Sequence, residues 1–328
     1  MDIFYDDQCF IPEDLTEREK WFKNNYFSGI VRDDELEKYP APYKMAEQDF
    51  FDSPYDVSVV RHERYTPLFF HEHEFIEMVF AFQGKCTNEI SGKKVEMSAG
   101  DVCLIAPGAL HALGVFDDRT LVFNYLIRTS TFENSFFSIL SSGSILAEFF
   151  RNIFYGESGN AYLLFATGND PETRYYLARL YEESQRSGGD KNNMMNTLLT
   201  LFFLVLMRSH GNHVILPDKD PDEKIHPVQL LEYIQENYRT ASLKDMAGHF
   251  HYSERHMKRM IGKYTGRTFS DNIMRIRMDQ ARELLERTRL PLNEIARRVG
   301  YGEPSGFRQA FRKFFGETPS QFRQKHGG

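Results

Sequence analysis

Between residues 55 and 130, apolar and polar positions alternate in short runs that glycine, proline and asparagine interrupt. The alternation is clearest over residues 75–82, 102–106 and 121–127. Successive side chains of a β-strand point to opposite faces, so a period of two predicts half-buried strands. Short connections between such runs favour antiparallel pairing. This part of the chain is therefore predicted to form an antiparallel β-barrel.

The period of the apolar positions becomes helical after residue 130. Phe136, Ile139 and Leu140 begin this pattern, which continues over residues 175–185 and 194–208. Apolar residues spaced by three and four positions line one face of a helix and must be buried against a neighbouring element. We expect these helices to pack on the barrel.

Near the C-terminus, one local pattern occurs twice. In its first copy, Ser242 can cap a short helix, a turn follows, and Ser253 can cap a second helix. A serine hydroxyl at this position accepts a hydrogen bond from a free N–H group of the first helical turn. The pattern predicts a helix-turn-helix unit.

The second copy has the same order of elements. A helix is predicted over residues 291–299, Gly300 and Tyr301 form the turn, and Pro304 suits the first residue of the next helix. A long helix with a capping box of Thr268 and Asp271 connects the two copies. Such a helix would let the two units enter successive major grooves, about 34 Å apart, on one face of DNA.

The second helix of each unit has an apolar face and a polar face. Met257 and Ile261 point inward in the first unit, as do Phe307 and Phe311 in the second. The opposite faces carry cations and hydrogen-bonding groups that suit phosphate contact and base reading, although a solvated basic face would look the same. These candidate DNA-contact residues are Arg255, Lys258, Arg259, Ser305, Arg308, Gln309 and Arg312.

A polar segment with three prolines separates the two halves of the chain between residues 210 and 227. The predicted fold class is multidomain α+β, with a β-barrel and packed helices followed by an all-α domain. A helix opened by Thr16 is predicted within the N-terminal extension. The predicted domains are the acidic and aromatic extension over 1–54, the barrel over 55–130, a helical packing and dimerisation region over 131–211, a linker over 212–226 and a tandem helix-turn-helix domain over 227–328.

Charge is distributed unevenly along the chain. Residues 222–328 contain 20 Lys and Arg against 13 Asp and Glu, a formal charge of +7, whereas residues 1–221 contain 20 against 34, a formal charge of −14. Affinity for phosphate is therefore concentrated in the C-terminal domain. This distribution favours double-stranded DNA as its partner.

Cysteine content and the apolar runs predict a cytoplasmic protein. Cys9, Cys86 and Cys103 are odd in number and lack metal-type spacing, as is typical of a reducing compartment. The first ten residues are acidic and do not resemble a signal peptide. The longest apolar run, residues 198–207, is ten residues long, and a membrane span needs about 20. No membrane partner is expected.

The last third of the chain resembles the DNA-binding domain of the AraC/XylS family. The resemblance lies in LLEYIQENY, SLKDMAGHFHYSERHMKRMIGKYTG, IRMDQARELL, LNEIARRVGY and FRQAFRKFFGETPSQFR. It implies an effector-responsive transcription regulator in which Arg255, Lys258 and Arg259 match the contact positions of the first unit. Ser305, Arg308 and Gln309 match those of the second.

Two positions depart from the family pattern. Gly262 stands where the family usually has lysine, which removes a phosphate contact and lowers helix stability by about 1 kcal/mol. Gly302 and Glu303 replace the usual Ser-Asp before the second recognition helix, so a weaker cap is expected there.

The barrel contains a second group of chemically active residues. His71, His73 and Glu77 fall on one face if the strand alternates without a break, and His111 follows in a later strand. Their spacing resembles the paired motifs of cupin barrels. Three imidazoles and a carboxylate can bind Zn, Mn or Fe, so these four residues are candidate metal ligands. Val115 stands where cupin enzymes usually have asparagine, and Pro107 lies one position late.

Sensor domains of AraC-type regulators share this motif without generally being known to hold metal. The four residues together with Phe75 are therefore also predicted to line an effector pocket, since barrel mouths commonly host small ligands. By resemblance, a sugar is one candidate effector. His62 and His249 have no role in this interpretation.

Three functions remain open at this point. The first is an effector-responsive regulator without catalytic activity, in which ligand binding changes the DNA sites that a dimer can span. The second is a metal-dependent cupin enzyme fused to a DNA-binding domain. The third is a constitutive regulator with a purely structural barrel. The family resemblance implies that the apolar helix over residues 194–207 is a homodimer interface, unless this helix is buried within its own domain. RNA polymerase is a further candidate partner.

Overall fold

A computed structural model describes residues 14–26, 43–51, 55–140, 145–155, 162–216 and 225–326. Contacts divide the chain into two compact units. One comprises Met1–Ile139 and Arg151–Asp220, and the other comprises Leu140–Phe150 and Pro221–Gly328. Most of the predicted linker, residues 217–224, lies outside the described residues. None of the described helices is long and apolar enough to cross a membrane.

The first unit contains two five-stranded sheets. One has the strand order β1-β3-β8-β5-β6 and the other has the order β10-β7-β4-β9-β2. The strands are β1 (Tyr43–Met45), β2 (Val57–Arg61), β3 (His71–His73), β4 (Ile76–Gln83), β5 (Lys85–Ile90), β6 (Lys93–Ser98), β7 (Val102–Ile105), β8 (His111–Gly114), β9 (Leu121–Ile127) and β10 (Tyr162–Phe165).

This architecture confirms the predicted barrel-like, mainly antiparallel domain. Only the short pair of β1 and β3 is parallel among the described strands. Strand pairing does not join the two sheets within the described residues, so the barrel is not closed by hydrogen bonds. The sheets also extend beyond the predicted range of 55–130, because β1 precedes it and β10 follows it.

The chain passes from one sheet to the other at both ends of β4. The first corner lies at residues 74–75, between β3 and β4. The second is Gly84, between β4 and β5, where φ is +79°. A Cβ atom on Gly84 would lie 2.1 Å from Thr120 Oγ1 and 2.9 Å from Thr120 Cα. Only glycine fits this corner without displacing the backbone of residue 120.

Helices cover the sheet that contains β4 and β9. The helices before residue 211 are α1 (Glu17–Trp21), α2 (Thr129–Ile139), α3 (Ile145–Tyr155), α4 (Pro171–Ser184) and α5 (Lys191–His210), and a π-helix, Phe22–Tyr26, continues α1. All belong to the first unit except the part of α3 before Arg151. Tyr125 Oη in β9 donates a hydrogen bond to the carbonyl of Leu177 in α4 at 2.8 Å. The prediction that helices pack on the barrel is therefore confirmed.

Aromatic side chains hold these helices together. Phe132 and Phe136 of α2 are stacked with ring centroids 5.0 Å apart. Phe132 also contacts Phe154 of α3 at 5.0 Å, and Phe136 contacts Phe203 of α5 at 5.2 Å. All four rings are buried.

The sequence pattern failed to identify β10. Tyr162–Phe165 is a run of four buried residues that pairs with β7, opposite Ile105 at one end and Val102 at the other. A strand buried on both faces shows no alternation, so periodicity cannot distinguish it from a short piece of buried helix.

The second unit is helical, as predicted. Beyond residue 225 its helices are α6 (Pro227–Asn237), α7 (Leu243–His249), α8 (Glu254–Thr265), α9 (Phe269–Arg287), α10 (Leu292–Arg298), α11 (Pro304–Phe315) and α12 (Pro319–His326). Ser242, Ser253 and Thr268 cap α7, α8 and α9 through side-chain hydrogen bonds, as their positions predict. Asp271 completes the predicted capping box with Thr268.

The long helix α9 supports both helix-turn-helix units. At its beginning, the buried Asn272 donates a hydrogen bond from Nδ2 to Thr265 Oγ1 of α8 at 2.9 Å. Farther along, Ala281 and Leu285 are buried in one core with Phe307 and Phe311 of α11. A helix of 19 residues is about 28 Å long. It therefore contacts α8 at one end and α11 farther along.

Candidate functional site in the barrel and candidate nucleic-acid interface

Four predicted site residues meet between the two sheets of the barrel. His71 of β3 and His111 of β8 are register partners, with ring centroids 4.2 Å apart. Glu77 comes from β4 in the opposite sheet, and its Oε2 lies 2.9 Å from His111 Nε2 and 3.2 Å from His73 Nε2. His71, Glu77 and His111 each offer a ligand atom, and these atoms lie within 4.8 Å of one another.

The route by which these residues meet differs from the prediction. Uninterrupted alternation would place His71, His73 and Glu77 on one face of one strand. The strand instead breaks at residues 74–75, so the two histidines belong to one sheet and Glu77 to the other. They converge because the inner faces of the two sheets point toward each other.

Backbone carbonyls orient all three imidazole rings. Nδ1 of His71 lies 2.9 Å from the carbonyl oxygen of Phe69, Nδ1 of His73 lies 2.7 Å from that of Phe75, and Nδ1 of His111 lies 3.0 Å from that of Ala109. A carbonyl oxygen can only accept a hydrogen bond, so each Nδ1 carries the proton. In the neutral form of each ring, Nε2 therefore keeps its lone pair.

The electrostatics of the cluster favour an ionised carboxylate. Burial raises the pKa of Glu77, but its contacts with His111 and His73 outweigh burial and hold this pKa well below its ordinary value. Burial lowers the pKa of His71, and the neighbouring His111 lowers it further. The site therefore presents a negative charge surrounded by imidazoles.

His62 also belongs to this environment, although the sequence analysis gave it no role. Burial lowers the pKa of His62 to about 4, and the ring interacts electrostatically with Glu77, His71 and His111. Its Nε2 atom is buried and has no hydrogen-bond partner among the described residues. No motif includes this residue, which follows β2 and reaches the cluster only through the tertiary fold.

Phe75 forms a wall of the cluster. Its ring is stacked on His73, with centroids 4.6 Å apart and an interplanar angle of 11°. The Phe75 ring also packs in a buried cluster with Phe51 and Leu126, and Phe75 is only 1% exposed. Phe75 therefore lies beside the histidines, as the sequence predicts.

The candidate DNA-contact side chains of α8 are all exposed. Arg255, Lys258 and Arg259 lie on the outer face of the helix, whereas Met257 and Ile261 are fully buried. The Ser253 hydroxyl caps the helix by accepting a hydrogen bond from the His256 N–H at 3.2 Å.

The outer face of α11 has the same organisation. Phe307 and Phe311 are buried, and the four candidate contact residues of this helix, Ser305, Arg308, Gln309 and Arg312, are exposed. The helix begins at Pro304, and the Glu303 side chain makes no capping hydrogen bond, in agreement with the weaker cap that was predicted.

The cations on the outer faces of α8 and α11 differ from other cations of the same unit in their ion pairing. Within the described residues, Arg255, Lys258, Arg308 and Arg312 form no ion pair. Elsewhere, by contrast, Arg287 lies 2.8 Å from Glu283, Arg298 lies 2.9 Å from Glu294, and Lys325 lies 2.7 Å from Glu317. The outer faces of α8 and α11 therefore carry four cations that have no carboxylate partner in the described part of the chain.

Two family models match the two units. The AraC-like ligand binding domain matches residues 57–197, and a helix-turn-helix domain matches residues 246–325. Together they account for about two thirds of the chain.

Relatives match over most of their length. The HTH-type transcriptional activator RhaS of Escherichia fergusonii is 25% identical over 284 residues, which are 86% of this chain and 97% of that protein. The HTH-type transcriptional activator RhaR of Escherichia coli O139:H28 is 22% identical over 284 residues, 85% of this chain and 96% of that protein. The solved structure of the C-terminal domain of AraT, a response regulator from Geobacillus stearothermophilus, is 35% identical over 31% of this chain and 86% of that chain, with a TM-score of 0.30. The chain is therefore an AraC-type transcriptional regulator that joins an AraC-like ligand-binding domain to a DNA-binding helix-turn-helix domain.

Proposed function

We propose that α8 and α11 are the two recognition helices of this regulator and that each enters a major groove of double-stranded DNA. The observation that carries this proposal is the exposed positive charge on their outer faces, above a buried apolar face, at side chains that form no ion pair with the described carboxylates. DNA phosphates supply the missing negative charge, and the exposed side chains add hydrogen bonds that can distinguish bases.

The two helices differ in the contacts that they can make. The outer face of α8 carries three cations, Arg255, Lys258 and Arg259, which suit phosphates and guanine, beside the exposed Glu254 of the first turn. The outer face of α11 combines Arg308 with Gln309, and these can pair in bidentate fashion with guanine and adenine respectively. We therefore assign the larger share of base discrimination to α11.

The barrel is the proposed effector site. Its buried cluster of His71, His73, Glu77 and His111, with Phe75 as a wall, combines polar groups that can orient a ligand with apolar surface that can exclude water. In this proposal, a bound effector shifts the population of conformations that bind DNA, without catalysis. The protein acts in the cytoplasm, where bacterial DNA lies. A sugar as the effector and RNA polymerase as a partner stay predictions from the resemblance.

A second copy of the chain is the proposed partner of α5. Met194, Leu201 and Leu204 recur at helical spacing on this helix and are between 39% and 47% exposed. Exposed apolar stripes of this kind are typical of protein interfaces. Dimerisation would double the number of recognition helices and would select two half-sites.

The recognition helices can be tested with DNA that the protein itself selects from genomic fragments. Arg308→Ala should weaken binding to the selected duplex by about 1 to 3 kcal/mol and should weaken binding to a scrambled duplex much less. Arg287→Ala, which removes the same charge from a paired position at the end of α9, is the matched control and should leave both affinities nearly unchanged. Equal affinity of wild type and Arg308→Ala for the selected duplex would contradict the assignment.

A further inference from the structure

We propose that His71, His73, Glu77 and His111 bind one divalent transition-metal ion between the two sheets of the barrel. The donor set would be three imidazole nitrogens and one carboxylate oxygen. Such a set suits borderline first-row ions such as Zn²⁺, Ni²⁺, Co²⁺ and Mn²⁺ better than Mg²⁺ or Ca²⁺, which prefer oxygen ligands.

The hydrogen bonds of the Nδ1 atoms carry the first step of the argument. Each of the three rings donates from Nδ1 to a backbone carbonyl at 2.7 to 3.0 Å. This arrangement is the usual one for metal-binding histidines, because it fixes the ring and leaves Nε2 free to coordinate. Here it is in place at three rings of one cluster.

The second step concerns the contacts of Glu77. Its Oε2 atom lies 2.9 Å from His111 Nε2 and 3.2 Å from His73 Nε2. If both rings are neutral, two nitrogen lone pairs face one carboxylate oxygen, and this contact is repulsive. A positive species between these atoms, either a proton or a metal cation, relieves this repulsion.

The geometry of the buried atoms favours a metal ion over two additional protons. His73, Glu77 and His111 are at most 4% exposed, so any charge placed among them needs partners within bonding distance. A single divalent ion would bond to the carboxylate and to the lone pairs directly. His73 Nε2 supports this arrangement, because it is buried and makes no hydrogen bond among the described residues despite its short distance from Glu77.

His71 and His62 complete the surroundings of the proposed ion. The ligand atom of His71 lies within 4.8 Å of those of Glu77 and His111, and His71 is the most exposed member of the set, so it marks the side from which an ion can enter. His62 stands beside the cluster with a buried, unpartnered Nε2. It could accept a hydrogen bond from a water molecule that fills an open coordination position.

The test uses the full-length protein without a histidine tag, stripped with a chelator and dialysed separately against Zn²⁺, Ni²⁺, Co²⁺ and Mn²⁺. We expect one ion per chain by elemental analysis for at least one metal, a higher melting temperature of the loaded protein, and a visible absorption band on loading with Co²⁺. His71→Ala and His111→Ala should each weaken binding at least tenfold. His213→Ala, an exposed histidine of the same unit, should bind as the wild type does.

Loss of binding in a variant supports the proposal only if its circular dichroism matches that of the metal-free wild type. His71→Ala is the most informative change, since His71 is the least buried of the four residues and its loss is least disruptive. Binding of less than about a tenth of an ion per wild-type chain would overturn the proposal, and so would unchanged binding in both His71→Ala and His111→Ala. DNA binding is measured on the same samples, so a metal-free protein that still selects its DNA would refute the metal site and leave the regulator intact.

Discussion

The carboxylate of Glu19 accepts two hydrogen bonds from the guanidinium of Arg64, one from Nε at 3.0 Å and one from Nη2 at 2.9 Å. The Arg64 backbone N–H donates a third at 2.9 Å. Both side chains are buried, with exposures of 0% and 1%. Glu19 is also the capping-box partner of Thr16 at the start of α1. The Glu19 carboxylate therefore caps the start of the first helix and also attaches this helix to the barrel through Arg64.

Glu19→Gln should destabilise the first unit by roughly 3 kcal/mol, because it leaves the buried guanidinium of Arg64 without a counter-charge. Glu17→Gln is the matched control, since Glu17 is on the same helix with a side chain that is 90% exposed, and it should change stability by less than about 1 kcal/mol. Denaturant unfolding of both variants measures the difference. Equal midpoints for the two variants would show that the ion pair contributes nothing.

The ion pair of Glu19 and Arg64 also predicts how the stability of the protein depends on pH. Burial raises the pKa of Glu19, but hydrogen bonds from Arg64 and Thr16 outweigh burial and lower it from 4.5 to about 2. A lowered folded-state pKa stabilises the protein fully above the unfolded-state value and progressively less as the pH falls toward the folded-state value. The stability difference between wild type and Glu19→Gln should therefore be constant above about pH 5.5 and should shrink between about pH 5 and pH 2. A difference that stays constant down to pH 2 would contradict this assignment.

Gly300 in the turn of the second helix-turn-helix unit should not tolerate a side chain. Its φ is +90°, and a Cβ atom would lie 2.6 Å from the backbone oxygen of Arg239 and 2.8 Å from its Cα. Gly300→Ala should lower the stability of the second unit by about 2 kcal/mol or more. Gly302→Ala, two residues away, meets no atom within 4 Å and should be nearly neutral. Thermal unfolding of the two variants compares them directly.

The buried aromatic face of α11 should be essential for the folding of this recognition helix. Phe311 is fully buried, and Phe311→Ala should cost about 3 to 5 kcal/mol and reduce DNA binding through partial unfolding. Phe314 on the same helix is 37% exposed, so Phe314→Ala should cost less than about 1 kcal/mol. Similar losses in both variants would mean that α11 does not bury this face.

The proposed dimer predicts a specific effect of charge on α5. Leu201→Glu combined with Leu204→Glu should shift the protein from dimer to monomer in analytical ultracentrifugation, because two carboxylates would be buried against apolar surface. Leu68→Glu places one such charge at a position that is 40% exposed elsewhere in the unit and should leave the dimer intact. A monomeric wild type, or a dimer that survives the double change, would exclude α5 as the interface.

Local rules were sufficient for the second unit. Ser242, Ser253 and Thr268 cap helices because their partners lie three residues away, and Phe307 and Phe311 are buried because they are four residues apart on one helix. Such interactions depend on the conformation of one turn, so the sequence determines them without knowledge of the rest of the chain. The exposed faces of α8 and α11 follow from the same periodicity.

The barrel site depended on contacts between distant segments. Glu19 and Arg64 are 45 residues apart, and Glu77 reaches His111 across 34 residues and between two sheets. Three features have no local signal in the sequence: the break after β3, the strand β10 and the position of His62 beside the histidine cluster. Each arises only when separate strands pair or face one another. The sequence by itself therefore determined the helices, their caps and the residue types of the candidate sites. The tertiary structure decided which of these residues meet, because the pairing of distant strands is stabilised by packing that no short window of sequence contains.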